Sequence, residues 1–320
     1  MKTLTIIIPT WNRARYLEKN LEILDSYLKR GLDFRILVCN NGSTDGTKDV
    51  LAKYRNHPKV RIIDHPENIK FDRNVASGYL NFDTDFCFCL GDTKTLSFES
   101  LMRIIKTINE EDIDAIVIKS ANRLNKPEMY YNEINDLMDN LGWVLTNISS
   151  CVIPKWFITN DRCERYYDSQ YIHYGVFIDA LCHQNKMKVK YDPSIEKEII
   201  SFPQEVHPHG WTSNACSIFG KVWITFIMSL PKKVKVETKL KVIKDENKYY
   251  RFLTPISFIY AKINHDKAFF KDYKENKVYM PLVSSTPICV YDTITFVPSF
   301  FWGWLRPILK RIPRFAQKIN

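Results

Sequence analysis

No Cys-x-x-Cys pair and no regular spacing links the eight cysteines, at positions 39, 87, 89, 151, 163, 182, 216 and 289. That pattern gives no disulfide framework to read, and free thiols point to a reducing cytoplasm. Cys39, Cys87 and Cys89 fall in apolar runs, where a thiol behaves as a small hydrophobe. The chain also lacks a basic N-terminal segment with a cleavage site, so secretion is not expected. Its most apolar stretch, Phe219 to Leu230, is only a dozen residues long and contains Lys221, too short to span a bilayer. No internal repeat and no low-complexity linker occurs.

What is present is an ordinary globular composition, 45% apolar and 26% charged over 320 residues. That length suits one or two domains with a sizeable core. The net charge of +10 calls for an anionic partner. Residues 232–251 carry Lys232, Lys233, Lys235, Lys239, Lys241, Lys244, Lys248 and Arg251 against three acids. The tail from Phe300 carries Arg306, Lys310, Arg311, Arg314 and Lys318 with no acid. No nucleic-acid-binding motif accompanies these charges, so nucleic acid is not the expected partner. Aromatics interleaved with basic residues in the tail suit an anionic membrane surface, while packing on the protein or an oligomer contact stays open.

The amino-terminal part alternates strands and helices. Strands are expected at Leu4–Ile8, Phe34–Cys39, Val60–Asp64, Phe86–Leu90 and Ala115–Ile118. Helices are expected at Ala14–Leu28, Thr44–Tyr54, Asn68–Leu80 and Phe98–Ile108. This rhythm predicts an α/β, doubly wound, mostly parallel sheet. Beyond residue 120 the pattern loosens. Helices are expected at Met129–Trp143 and Phe177–Gln184, and strands at Ser149–Ile153 and from Val189 into Pro193.

Two polar clusters end the first two strands. Ile8-Pro-Thr-Trp-Asn-Arg13 closes the first and Asn40-Asn-Gly-Ser-Thr-Asp-Gly-Thr47 the second. In parallel sheets ligands bind outside the carboxyl ends of the strands, where these clusters would lie side by side. Together they resemble the opening of family 2 glycosyltransferases, which have a GT-A fold and use nucleotide-diphospho-sugars. The likeness is close over residues 1 to 120 and thin beyond. Members more often begin the second motif with two aspartates.

The resemblance implies a uridine pocket at Pro9, Thr10 and Trp11, with Asn40 and Asn41 beside it. Asn41 stands where relatives usually hold an aspartate that reads uracil. An amide both donates and accepts, so uracil and cytosine both remain open, although Asn-Gly is also simply a good turn. Arg73, in Asn68-Ile-Lys-Phe-Asp-Arg-Asn74, matches an arginine that approaches the nucleotide in relatives. The fourth strand should end in a DXD element, but Leu90-Gly-Asp-Thr-Lys94 keeps one carboxylate, Asp92, beside Gly91. Asp92 with substrate phosphates would hold a divalent Mn2+ or Mg2+ ion. Alternatively Lys94 would stabilise the leaving diphosphate without metal, or the site has lost catalysis. His209, in His207-Pro-His-Gly-Trp211, is a further metal-ligand candidate, and Trp211 a sugar-stacking one.

An inverting member also needs a base, often the aspartate of a Glu-Asp pair that this chain lacks. His173 and Asp168 are the candidates, with packing as the competing reading for His173. The expected organisation is a nucleotide-sugar half at 1–120, an acceptor-binding and catalytic half at 121–230, and a basic, aromatic extension at 231–320. The expected activity is transfer from a UDP- or CDP-sugar to a glycan or lipid-linked acceptor at the inner face of the cytoplasmic membrane, in bacterial surface polysaccharide or lipopolysaccharide synthesis. An inactive nucleotide-sugar-binding protein or a membrane scaffold are the alternatives. A nucleotidyltransferase is disfavoured because no Gly-rich triphosphate loop follows the first strand.

Overall fold

The computed structural model describes residues 1–119, 124, 126–202, 212–305 and 307. It divides into two compact units, one of residues 1–201 with 230–235, the other of residues 202–229 with 236–320.

In the first unit, β1 (Leu4–Thr10), β2 (Arg35–Asn40), β3 (Val60–Asp64) and β4 (Phe86–Cys89) are parallel neighbours in the order β3-β2-β1-β4. β1 is buried along its whole length, as a strand covered on both faces must be. The connecting helices are α1 (Ala14–Lys29), α2 (Thr47–Ala52) and α3 (Phe71–Asn81). Leu17, Leu21 and Leu24 of α1 are buried at helical spacing. A short strand β5 (Lys94–Leu96) and helix α4 (Phe98–Glu110) come next, with the Ser97 hydroxyl capping α4 at Ser100 N.

The sheet continues through β6 (Ala115–Ile118), β7 (Met129–Tyr131), β8 (Cys151–Pro154) and β9 (Val189–Asp192), completing the order β3-β2-β1-β4-β8-β6-β9-β7. β8 runs antiparallel to both its neighbours, and β7 antiparallel to β9, so the sheet is mixed yet mostly parallel. Helices α5 (Ile134–Leu141), α6 (Asn160–Arg165) and α7 (Ile172–Cys182) lie between these strands in the chain. Apart from the sheet, β5 pairs antiparallel with β10 (Lys197–Ile199).

At β7 and α3 the sequence expectations need correction. Met129–Tyr131 is the start of no helix: it is an edge strand, with Tyr131 opposite Val189 of β9. The third helix begins at Phe71 rather than Asn68, because Asn68 Oδ1 accepts Lys70 N at 2.8 Å and Lys70 takes φ 70°.

The second unit is helical among its described residues. A π-helical turn at Ser217–Val222 leads into α8 (Trp223–Ser229), then α9 (Val236–Tyr250), α10 (Pro255–Ile263), α11 (Lys267–Asn276), α12 (Met280–Val283) and α13 (Ile288–Phe296). The apolar Phe219–Leu230 run is thus packing surface, with Trp223 and Ile227 fully buried. Among the described residues no helix is long and apolar enough to cross a membrane.

Candidate active site

Thr10, the last residue of β1, joins the neighbouring strand ends. Its carbonyl accepts Asn41 N at 2.9 Å, just past β2, and its hydroxyl donates to Asp92 Oδ2 at 3.0 Å, just past β4. The same edge is knitted by Ser43 Oγ, which accepts Asn12 N at 2.9 Å, and by Asn12 Oδ1, which accepts Thr44 N at 2.8 Å. Pro9 and Thr10 are buried, while Trp11 is 51% exposed at the rim. Burial pushes the Asp92 carboxyl up to about 6, against the pull of the Thr10 hydroxyl and the charge of Arg13.

The two asparagines hold the walls. Asn40 donates to Asp64 Oδ1 at 2.7 Å and accepts Ser43 N at 3.3 Å. Asn41 donates to Asn68 Oδ1 at 3.1 Å and accepts Ile69 N at 2.8 Å, which fixes the segment ahead of α3. Gly42 comes next at φ +64°, and an added Cβ would stand 2.6 Å from Glu67 Cα. Only glycine lets that turn approach so closely.

On α3, Arg73 Nη1 meets Asp168 Oδ1 at 3.0 Å, and Lys70 Nζ shares that oxygen at 3.1 Å. Arg73 also lies over the Tyr167 ring, 4.7 Å from its centroid. Those hydrogen bonds, Arg73 first, hold the Asp168 carboxyl below its usual range. The loop carrying Asp168 is anchored by buried Asp72, which accepts Gln170 N at 2.8 Å and Ile172 N at 3.4 Å at the start of α7. Burial raises Asp72 to about 6. His173 is buried on α7, its Nε2 3.2 Å from the Thr146 carbonyl and its ring edge-on to Phe71. Burial drives its imidazole down to about 4, so it is neutral near pH 7.

The family model for glycosyl transferase family 2 matches residues 5–167, which hold the strand-end residues and Arg73, with Asp168 and His173 just beyond. The chain belongs to that family. A similar protein from Salmonella typhimurium, the abequosyltransferase RfbV, is 31% identical over 113 residues, 35% of this chain. The match spans about a third (34%) of that relative's own length. Among solved structures, S. aureus TarS 1–349 is similar with a TM-score of 0.54 at 14% identity, covering 94% of this chain and 88% of that one. The mannosyltransferase PcManGT of Pyrobaculum calidifontis, solved with GDP-Man and Mn2+, gives 0.51 at 12% identity over 95% and 84% of the two chains. These likenesses establish a GT-A type fold.

In this family 2 chain, where the DXD element is expected, Gly91 N donates to Ser149 Oγ at 2.8 Å. Lys94 N closes the turn on Gly91 O at 2.9 Å, and Asn20 Nδ2 grips Lys94 O at 2.7 Å. The β5–β10 register sets Ile199 opposite Lys94 and Lys197 opposite Leu96. Lys94 and Lys197 are therefore diagonal neighbours on one face of the ribbon. Lys197 Nζ donates to Asn147 Oδ1 at 3.1 Å and to Ser149 O at 2.5 Å. Burial lowers the pKa of both ammoniums, and the charge of Lys94 helps bring Lys197 to about 7. Lys197 has no motif to announce it; the antiparallel pairing alone brings it here.

Thr10, Asn41 and Asp92 are thus gathered at one sheet edge, as are Asn40, Gly91 and Lys94 by sequence adjacency and hydrogen bonds. Arg73 and Asp168 meet each other, and Lys70 links them to the Asn41–Asn68 pair. His173 is brought to no carboxylate in this network; its Nε2 faces a backbone carbonyl. His209 lies outside the described residues. Among the described residues no group of three or more His, Cys, Asp or Glu is placed to hold a metal ion. Asp92, a single half-buried carboxylate, fits a divalent ion whose remaining ligands are substrate phosphates and water.

Proposed function

We propose that this chain transfers a glycosyl group from a nucleotide-diphospho-sugar, UDP- or CDP-linked, to a hydroxyl of a glycan or lipid-linked acceptor. The observation that carries the reading is Thr10, bonded at once to the base-side residue Asn41 and the phosphate-side residue Asp92. Trp11 offers an exposed aromatic face to the base at the same rim. TarS has been solved with UDP-GlcNAc and PcManGT with GDP-Man and Mn2+, which supports a sugar-nucleotide donor.

In this mechanism the acceptor oxygen attacks the anomeric carbon as the bond to the diphosphate oxygen breaks, inverting the centre. The acceptor proton passes to Asp168, which is exposed and ionised where His173 is buried. Lys70 and Arg73 hold Asp168 in place, and Arg73 presents its fork to the donor. Charge developing on the leaving nucleoside diphosphate is met by Lys94 and Lys197. Asp92 would hold a divalent ion, which when bound adds Lewis-acid stabilisation of the same diphosphate. The setting is bacterial surface polysaccharide or lipopolysaccharide assembly at the inner face of the cytoplasmic membrane. The likeness to an abequosyltransferase supports it, as do the exposed aromatics Phe296, Phe300, Phe301 and Trp304 before the basic tail.

A thermal-shift panel of UDP-, CDP-, GDP- and dTDP-sugars, each with and without Mn2+, tests this reading, because a ligand that binds the folded state raises its melting temperature. A rise with UDP- or CDP-sugars is expected. No rise with any sugar nucleotide would overturn the assignment.

A further inference from the structure

In the second unit, Lys244, Lys248 and Arg251 stand at i, i+4 and i+7 along α9 and the residue just after it. That spacing puts the two lysines on one side of the helix, and Arg251 follows in the turn after it. They line a cavity of 360 Å³ whose other walls include Thr254, Ser285 and Thr286. No carboxylate occurs among the described lining residues. Of the two acids between these lysines, Asp245 is paired with Lys241 at 2.5 Å, and Glu246 is buried and does not line the cavity. Three like charges gathered around one hollow repel, and the arrangement suits an anion that neutralises them.

The walls are fixed from within. Asn247 donates to Leu253 O at 3.0 Å and accepts Leu253 N at 2.8 Å, setting the turn in which Arg251 takes φ 56°. Across the cavity, Ser284 Oγ bonds Tyr291 Oη at 2.7 Å and accepts Thr286 N at 3.2 Å. The cations and hydroxyls thus face the space from two braced segments.

We propose that this cavity binds a phosphate group. Lysine ammoniums supply point charge, the Arg251 guanidinium a donor fork and the hydroxyls neutral donors, the set that tetrahedral oxyanions take. The volume leaves room for a substituent on the phosphate. Its source is either a soluble phosphorylated compound or a lipid headgroup. The residues belong to a different unit from Asp92, Lys94 and Arg73.

The test uses the full chain, the cavity variant Lys244→Gln/Lys248→Gln, and the charge-matched control Lys267→Gln/Lys271→Gln on exposed positions of α11. One arm titrates inorganic phosphate by thermal shift, and the other sediments phosphatidylglycerol against phosphatidylcholine vesicles. The cavity variant should lose about tenfold or more in affinity in at least one arm, as expected for losing charge-assisted bonds. The control should not. A response to phosphate identifies a soluble ligand; a response confined to phosphatidylglycerol identifies a headgroup. UDP binding unchanged in the variant confirms its fold and separates this result from the donor reading. Equal binding by cavity variant and wild type, or no binding in either arm, overturns the proposal.

Discussion

Arg73 Nη1 sits 3.0 Å from Asp168 Oδ1, a pair formed across 95 residues of chain. Both side chains are about half exposed, so the pair positions groups more than it stabilises the fold. Asp168→Asn should lower kcat by about 10²–10⁴-fold, the usual worth of a general base, without raising the donor KM. Arg73→Met should instead raise the donor KM. Steady-state kinetics separate the two, and an unchanged kcat in Asp168→Asn would remove it from the base role.

His173 supplies a pH signature. Its folded value, about 4, lies below the unfolded 6.5 because burial disfavours the imidazolium. A depressed value makes the histidine's contribution complete above pH 6.5 and lost as pH falls toward 4. Relative to His173→Phe, wild type should lose about 3 kcal/mol over that interval. Urea unfolding at pH 7.5, 5.5 and 4 measures the difference. A gap that stays constant with pH would contradict a buried neutral His173.

Gly42 tests the close turn that follows β2. Gly42→Ala places a Cβ against Glu67 backbone at φ +64°, where no flexible atom can yield. Destabilisation of about 2–4 kcal/mol is expected in denaturant melts. A near-neutral result would show that the loop 65–70 moves aside easily.

The lysine pair makes a prediction about the leaving group. Lys94→Met and Lys197→Met should each weaken UDP binding about tenfold by calorimetry, as loss of one charge-assisted contact implies. The effect should persist in EDTA. If binding vanishes with chelator, returns with Mn2+ and is indifferent to both substitutions, the ion carries the diphosphate and the lysines do not.

Part of the fold and of the site is legible in the chain itself. Leu4–Ile8, a Leu/Ile/Thr run, and Ile36–Cys39, an apolar one, end in polar turn residues, and such runs are determined by local composition. They predict strands whose carboxyl ends share an edge, and Thr10 does bridge Asn41 and Asp92 there. The expectation fails where neighbours in space, not in sequence, set the state. The spacing over 129–143 predicts one helix, yet the open edge of β9 draws Met129–Tyr131 into the sheet. The pattern predicts α7 from Phe177, but the helix begins at Ile172, where Asp72 accepts the N–H groups of Gln170 and Ile172 from roughly 100 residues away.

The sequence by itself determined the parallel core, the turns at its strand ends and the family to which their motifs belong, since all three depend on residues within a few positions of one another. Tertiary structure alone decided that Lys197 lies beside Lys94, that Asp168 answers Arg73, and that the cations of α9 enclose a hollow with the loop 284–286. Those juxtapositions arise from long-range pairing and packing, for which no local pattern of side chains carries a signal.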